Sequence, residues 1–195
     1  YAGDSTLIWA GAIRENPKIS GEVVCVDSFK ITPLDSYVNC ALHLMARAQD
    51  NGAILKLFRH NVSSSQCGHI VNLLEGSSEE ILPNLVERKF DLVYVDASHV
   101  YDDVIRDIGL AAPLVREGGI LCGDDLELQV GSIDIAYAEK HKNIDIVYDQ
   151  RTGTEYHPGL TLAVKDFFGT QISCYEGFWA MRKRDNGWED ILLVR

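Results

Sequence analysis

Residues 90–125 read FDLVYVDASHVYDDVIRDIGLAAPLVREGGILCGDD. The opening run FDLVYV, 90–95, is short, apolar and β-branched, as a strand buried on both faces must be. The next segment starts with Tyr101, Asp102 and Asp103 and then places Val104, Ile108, Ala111 and Leu114 at helical spacing, so one apolar stripe faces a core. Gly118 and Gly119 supply a helix stop, and GILC, 119–122, starts a second apolar strand. Strand, helix and strand in this order predict a parallel βα repeat. Both strands end in carboxylates: Asp96 after the first, Asp124 and Asp125 after the second.

The same alternation extends outward on both sides. EVVCV, 22–26, and HIVNLL, 69–74, have the composition of strands. Helices are expected after Ser5-Thr6 (LIWAGAIREN), after Asp35-Ser36 (YVNCALHLMARAQ) and after Ser77-Ser78-Glu79-Glu80 (ILPNLVER), each behind a capping residue. Beyond Asp125 the spacing predicts a helix in SIDIAYAEKHKN, a strand in IDIVYD, a polar lid-like loop in RTGTEYHPG and a helix in GLTLAVKDFFG. SCYEGFWAMRK and WEDILLVR, joined across Asn186-Gly187, form a closing antiparallel hairpin. The expected class is α/β: a Rossmann-like, doubly wound, mostly parallel sheet with a C-terminal antiparallel hairpin, in one domain over 1–195.

Composition narrows the function. The chain has 195 residues and a formal net charge of −11, which repels a phosphate backbone and argues against nucleic acid. The one dense basic cluster, Arg182-Lys183-Arg184, reads as an exposed β-turn. No apolar run reaches the roughly 20 residues of a membrane span, and the N-terminal residues lack the pattern of a signal peptide. Five cysteines without a CxxC pair argue against a disulfide framework or a cysteine-rich zinc site. Cys25 and Cys122 fall in strands, and Cys40, Cys67 and Cys174 lack the neighbours of a nucleophile. A soluble protein of a reducing, cytoplasmic compartment is expected.

In open α/β sheets ligands bind beyond the carboxyl ends of the strands. There stand Asp27, then Glu75-Gly76-Ser77-Ser78, then Asp96 and His99, then Asp124-Asp125. Asp27 suits the ribose hydroxyls of an adenosine-containing cofactor, and a turn-capping role explains it equally well. Gly3 and Ser5 open a helix whose N-terminus suits a carboxylate. Asp96, Asp124 and Asp125 converge on one edge of the sheet, where a hard divalent cation such as Mg²⁺ relieves their repulsion; capping or solvated aspartates are the plainer alternative. His99 adds a titratable imidazole three residues after Asp96.

Taken in order, YAGDSTL, VVCVDSF, EGSSEEILPNL, the 90–125 stretch and HPGLTLAVKDFFG resemble the class I S-adenosylmethionine-dependent O-methyltransferases, and among them the metal-dependent ones that act on catechols and on macrolide sugars. The resemblance implies that Gly3 and Ser5 line the methionyl end of S-adenosyl-L-methionine, Asp27 its ribose, and Gly76, Ser77 and Ser78 its adenine. Asp96 borders the cofactor and, with Asp124 and Asp125, binds Mg²⁺ or another divalent cation. His99 occupies the position of the general base. It also implies that the family's first strand precedes Tyr1. A small-molecule hydroxylated acceptor is expected, with catechol-like, sugar and polyketide hydroxyls all open, and a homo-oligomer is compatible with the sequence. Two other readings use the same residues: a non-catalytic or hydroxylase-like member of the scaffold, and an NAD(P)-dependent oxidoreductase, which lacks a GxGxxG turn here.

Overall fold

In the computed structural model of the chain, the described residues are 2–30, 52–169, 172–185 and 187–193. They fall into two compact units, Tyr1–Ile81 and Leu82–Arg195. The helix expected at 37–49, with Cys40 and His43, lies outside the described residues, as does Asn186 of the hairpin turn.

The first unit is built on two parallel strands, β1 (Val23–Asp27) and β2 (Val71–Glu75), in a register that pairs Asp27 with Glu75. Helix α1 (Asp4–Glu15) starts at Gly3 rather than behind a Ser/Thr cap: Gly3 has φ 96°, and a Cβ there would stand 3.0 Å from the Phe58 ring. Glycine is required on both counts. Helix α2 (Ala53–Ser64), which the sequence did not announce, supplies that Phe58. Ala10, Cys67 and Ile70 form the small core of this unit. After β2, Ser77 and Glu80 make a reciprocal capping box, each backbone N–H donating to the other's side chain at 3.3 Å. The helix they start is short, α3 (Ser78–Ile81). It gives way at Pro83 to a 3₁₀ turn, Leu82–Leu85, with which the second unit begins.

In the second unit β3 (Phe90–Val95) and β4 (Val115–Gly123) pair in parallel. The connecting helix α4 (Tyr101–Ala111) buries the expected stripe, with Val104, Ile108, Ala111 and the following Leu114 all 3% exposed or less. It ends earlier than expected. Pro113 sits in a 3₁₀ turn, Ala112–Leu114, and the VREGG segment belongs to β4 as an irregularity between the Phe90 and Leu92 pairings. Arg116 Nε donates to Asp91 Oδ1 at 2.6 Å and ties the irregular stretch to β3.

Downstream come α5 (Ile135–His141), β5 (Val147–Asp149), β6 (Thr154–Tyr156) and α6 (Pro158–Phe168). β5 and β6 pair antiparallel, so the segment expected to be a lid-like loop is a hairpin. Its Tyr156 is completely buried, and the Asp149 carboxylate accepts from Thr152 N and Oγ1 across the turn. β8 (Phe178–Arg184) pairs antiparallel with β4, and the short β7 (Cys174–Tyr175) and β9 (Gly187–Asp190) each pair antiparallel with β8, so the expected closing hairpin forms as β8–β9 while a turn at Glu176-Gly177 divides its first strand.

The basic cluster is not an exposed turn. Arg182, Lys183 and Arg184 are strand residues, Lys183 Nζ donates to the Ala112 and Val115 carbonyls at 2.9 Å, and Arg184 Nε donates to Glu189 at 2.7 Å. The strand places that cation over the junction between the 3₁₀ turn and β4, where the Ala112 carbonyl has left the helix. No helix among the described residues is long and apolar enough to cross a membrane.

Candidate active site

Parallel pairing brings the ends of β1 and β2 together, and with them the residues assigned to the cofactor. Gly76 N donates to the Asp27 carbonyl at 3.1 Å. The Asp27 Oδ1 accepts from Phe29 N at 2.6 Å, a turn that fixes the carboxylate at an exposed strand end. Phe29 meets Phe58 edge to face at 5.4 Å, and Phe58 closes on Gly3. Gly3 thus packs on the aromatic pair that follows Asp27, and the Gly76 turn is bonded to the Asp27 backbone. Ser5 lies in the first turn of α1 and is half-buried. A helix N-terminus, an exposed strand-end carboxylate and a glycine turn fit an adenosine-containing cofactor bearing a carboxylate.

In the second unit β3 delivers Asp96 and β4 delivers Asp124 and Asp125. A Cβ on Gly123 would meet the Val95 carbonyl and the Trp179 ring at 2.6 Å, so glycine at the last position of β4 lets these layers close up. Donor atoms of Asp96, His99 and Asp125 lie within 4.8 Å of one another. Asp124 is the expected ligand not gathered in that set. Asp125 adopts φ 62°, and Asp124 Oδ1 turns back to accept from Asp125 N at 3.0 Å. The two neighbouring aspartates therefore do not present their carboxylates alike. A Cβ on Gly177, in the β7–β8 turn, would lie 3.2 Å from the same Asp124 oxygen.

Burial, and then the charge of Asp125, hold the Asp96 carboxyl above its ordinary range, while Tyr94, whose hydroxyl donates to Asp96 Oδ2 at 3.2 Å, opposes the rise. An anionic oxygen pair in partial shelter from water fits a hard divalent cation.

His99 holds both ring nitrogens against carboxylates. Nε2 lies 3.0 Å from Asp125 Oδ2, and Nδ1 lies 2.6 Å from Asp145 Oδ1. Burial alone would pull the imidazole down; the bonds to Asp125 and Asp145 outweigh it and push it up to about 10. In this arrangement His99 is an imidazolium that compensates carboxylate charge, with no free lone pair for a substrate proton.

Three neighbours were not singled out by the sequence: Asp145, Glu127 and His157. His157 Nδ1 donates to the Asp145 carbonyl at 2.6 Å, and its ring lies 3.9 Å from that of His99. Gly159 enables this packing. A Cβ on it would collide with the carbonyls of Lys142 and His99 and stand 2.6 Å from Tyr101 N, so only glycine lets α6 approach the His99–Tyr101 segment at the start of α4. The His-Pro-Gly start of α6 was the available signal, yet the partnership with Asp145 spans the whole hairpin and leaves no periodic trace.

The family described as a methyltransferase domain matches residues 1–126, well over half of the chain. Among solved structures, the O-methyltransferase NovP is 15% identical, with a TM-score of 0.58 over 94% of this chain and 69% of that one, so the two share a fold. The O-methyltransferase TomG from Streptomyces achromogenes, solved with S-adenosylmethionine and involved in tomaymycin synthesis, is 18% identical with a TM-score of 0.45, over 97% of this chain and 66% of that one. The chain thus spans about two thirds of the length of these proteins. No curated protein sequence matches it. The resemblance carried by the strand-end segments is borne out: the chain belongs to the methyltransferase-domain family.

Proposed function

We propose that the chain is an S-adenosylmethionine-dependent O-methyltransferase that methylates a hydroxyl of a small molecule with the help of a divalent cation. The observation that carries the reading beyond the family is the Asp96 and Asp125 carboxylate pair at the ends of two parallel strands, beside His99.

S-adenosylmethionine, when bound, supplies an electrophilic methyl group on a sulfonium. Gly3 and Ser5 at the start of α1 would receive its methionyl carboxylate, Asp27 its ribose hydroxyls, and Gly76, Ser77 and Ser78 its adenine. A divalent cation held by Asp96 and Asp125, with Asp124 adjacent, supplies Lewis acidity that lowers the pKa of an acceptor hydroxyl. By fixing that cation, Asp96 and Asp125 would set where the acceptor's oxygen sits for in-line attack. Asp145 fixes His99 through Nδ1–H; when the Asp125 carboxylate is taken up by a cation, the ring would lose its Nε2 proton to solvent, and the neutral Nε2 would then receive the acceptor's proton. The acceptor is a small polyol or phenol rather than a nucleic acid, in keeping with the net charge of −11.

Incubation with methyl-labelled S-adenosylmethionine and a panel of catechols, sugars and polyketide alcohols tests the reading. Label should move to oxygen, with S-adenosylhomocysteine released, and chelation by EDTA should stop it. Transfer to nitrogen or carbon, or transfer indifferent to chelation, contradicts it.

A further inference from the structure

Asp125 belongs to two sets of potential ligands, one with Asp96 and His99, the other with Glu127 and His157. We propose that Asp125, Glu127 and His157 form a second cation site, distinct from the Asp96 side, that takes a divalent transition-metal ion of borderline softness.

The argument rests on His157. It stands at the start of α6, 7% exposed, and its backbone carbonyl accepts from Thr161 N at 3.0 Å, so helix formation fixes where the ring begins. A carbonyl oxygen cannot donate, so Nδ1, 2.6 Å from the Asp145 carbonyl, must carry the proton. That bond sets the tautomer and the plane of the ring, as it does for imidazoles that bind metals. Nε2 is then the coordinating atom. It lies 3.7 Å from Glu127 Oε1, too far for a hydrogen bond. Donors held ~2.0–2.2 Å from one ion stand roughly 3–4 Å from each other. The observed separation therefore leaves room for an ion between them, and donor atoms of Asp125, Glu127 and His157 fall within 4.8 Å of one another.

The chemistry of the set selects the ion. One imidazole and two carboxylates suit Zn²⁺ or Co²⁺ better than Mg²⁺, and here the imidazole is His157, whose Nε2 is not held by a short carboxylate bond as that of His99 is. Glu127 and His157 both lie beyond the 1–126 stretch matched by the family.

The test uses metal-stripped full chain titrated with CoCl₂, read by visible absorption, in the presence of excess MgCl₂ to fill oxygen-only sites. Wild type should bind Co²⁺ and resist displacement by Mg²⁺. His157→Gln and Glu127→Gln should each weaken that binding by at least ~10-fold, the lower end of what even an outer-shell partner is worth. Asp96→Asn should keep it. His157 is buried and its replacement can unfold the chain; Glu127 is not, and its variant then decides. Wild-type Co²⁺ affinity in folded Glu127→Gln, loss of binding in Asp96→Asn alone, or no Co²⁺ binding at all overturns the proposal. Absence of methyl transfer with Co²⁺ binding intact would count against the proposed activity and leave this site standing.

Discussion

The Nδ1 of His99 lies 2.6 Å from Oδ1 of Asp145, a bond that joins the end of β3 to the segment leading into β5. With Nε2 held by Asp125, the imidazole is pushed from 6.5 up to about 10. A group raised on folding stabilises the fold fully below its unfolded value and loses that contribution as pH climbs through the folded one. Asp125 and Asp145 are lowered, first by their bonds to His99, so they report the same contacts from the acid side. Metal-free protein should therefore be most stable, as far as this cluster decides, between about pH 4 and 6.5, with the thermal midpoint falling toward pH 10. Asp145→Asn should flatten the alkaline fall, and the His99 resonance followed by NMR should titrate at lower pH. An unshifted resonance would show that Asp145 does not hold the ring.

The cation reading predicts a stability effect independent of any acceptor. Mg²⁺ at about 100 times its dissociation constant should stabilise the folded chain by ~2.7 kcal/mol. Asp125→Asn should abolish this shift and Asp96→Asn should reduce it. Calorimetric scans with and without MgCl₂ check the point; equal shifts in wild type and both variants would place the ion elsewhere.

Gly159→Ala should destabilise by at least the ~1–3 kcal/mol of an overpacked core, because the new methyl meets backbone atoms of Lys142, His99 and Tyr101 that cannot rotate away. Denaturant midpoints measure the cost. A neutral substitution would mean that α6 tolerates a wider gap from the His99–Tyr101 segment.

How much of this was legible follows from which forces act locally. The β3–α4–β4 unit was readable because its apolar positions repeat at the spacing of a buried helix face, and Val104, Ile108 and Ala111 are indeed buried. Its early helix end was not, since Pro113 and the irregular VREGG pairing depend on Asp91 across the sheet. Helix α2 escaped notice because it starts at Gly52 without a side-chain cap and buries only Phe58. The polar RTGTEYHPG segment looked like a lid, yet Tyr156 and Asp149 anchor it as a hairpin.

At the candidate site, the proximity of Asp96, Asp125 and His99 was legible because they stand just past strand ends, a position that sequence reveals. The positions of Asp145, Glu127 and His157 depend on tertiary packing of α6 against α4 and the His99–Tyr101 segment, which no local pattern encodes. The different orientations of Asp124 and Asp125 come from one left-handed residue, and an aspartate tolerates that conformation without advertising it.

Removal of the proposed base should slow methyl transfer without changing cofactor affinity. A general base contributes about 10²–10⁴-fold, so His99→Gln should lower turnover by an amount in that range. Stopped-assay rates for an accepted alcohol check it; turnover within about twofold of wild type would return His99 to a purely structural, charge-compensating role.

The central claim, that the strand-end residues of the first unit bind S-adenosylmethionine, is tested most directly by isothermal titration with S-adenosylhomocysteine. Wild type should bind, and Asp27→Ala should bind at least ~10-fold more weakly, since a charge-assisted hydrogen bond is worth about 1.5–3 kcal/mol. No heat of binding to the wild-type chain, or unchanged affinity in Asp27→Ala, would contradict the account.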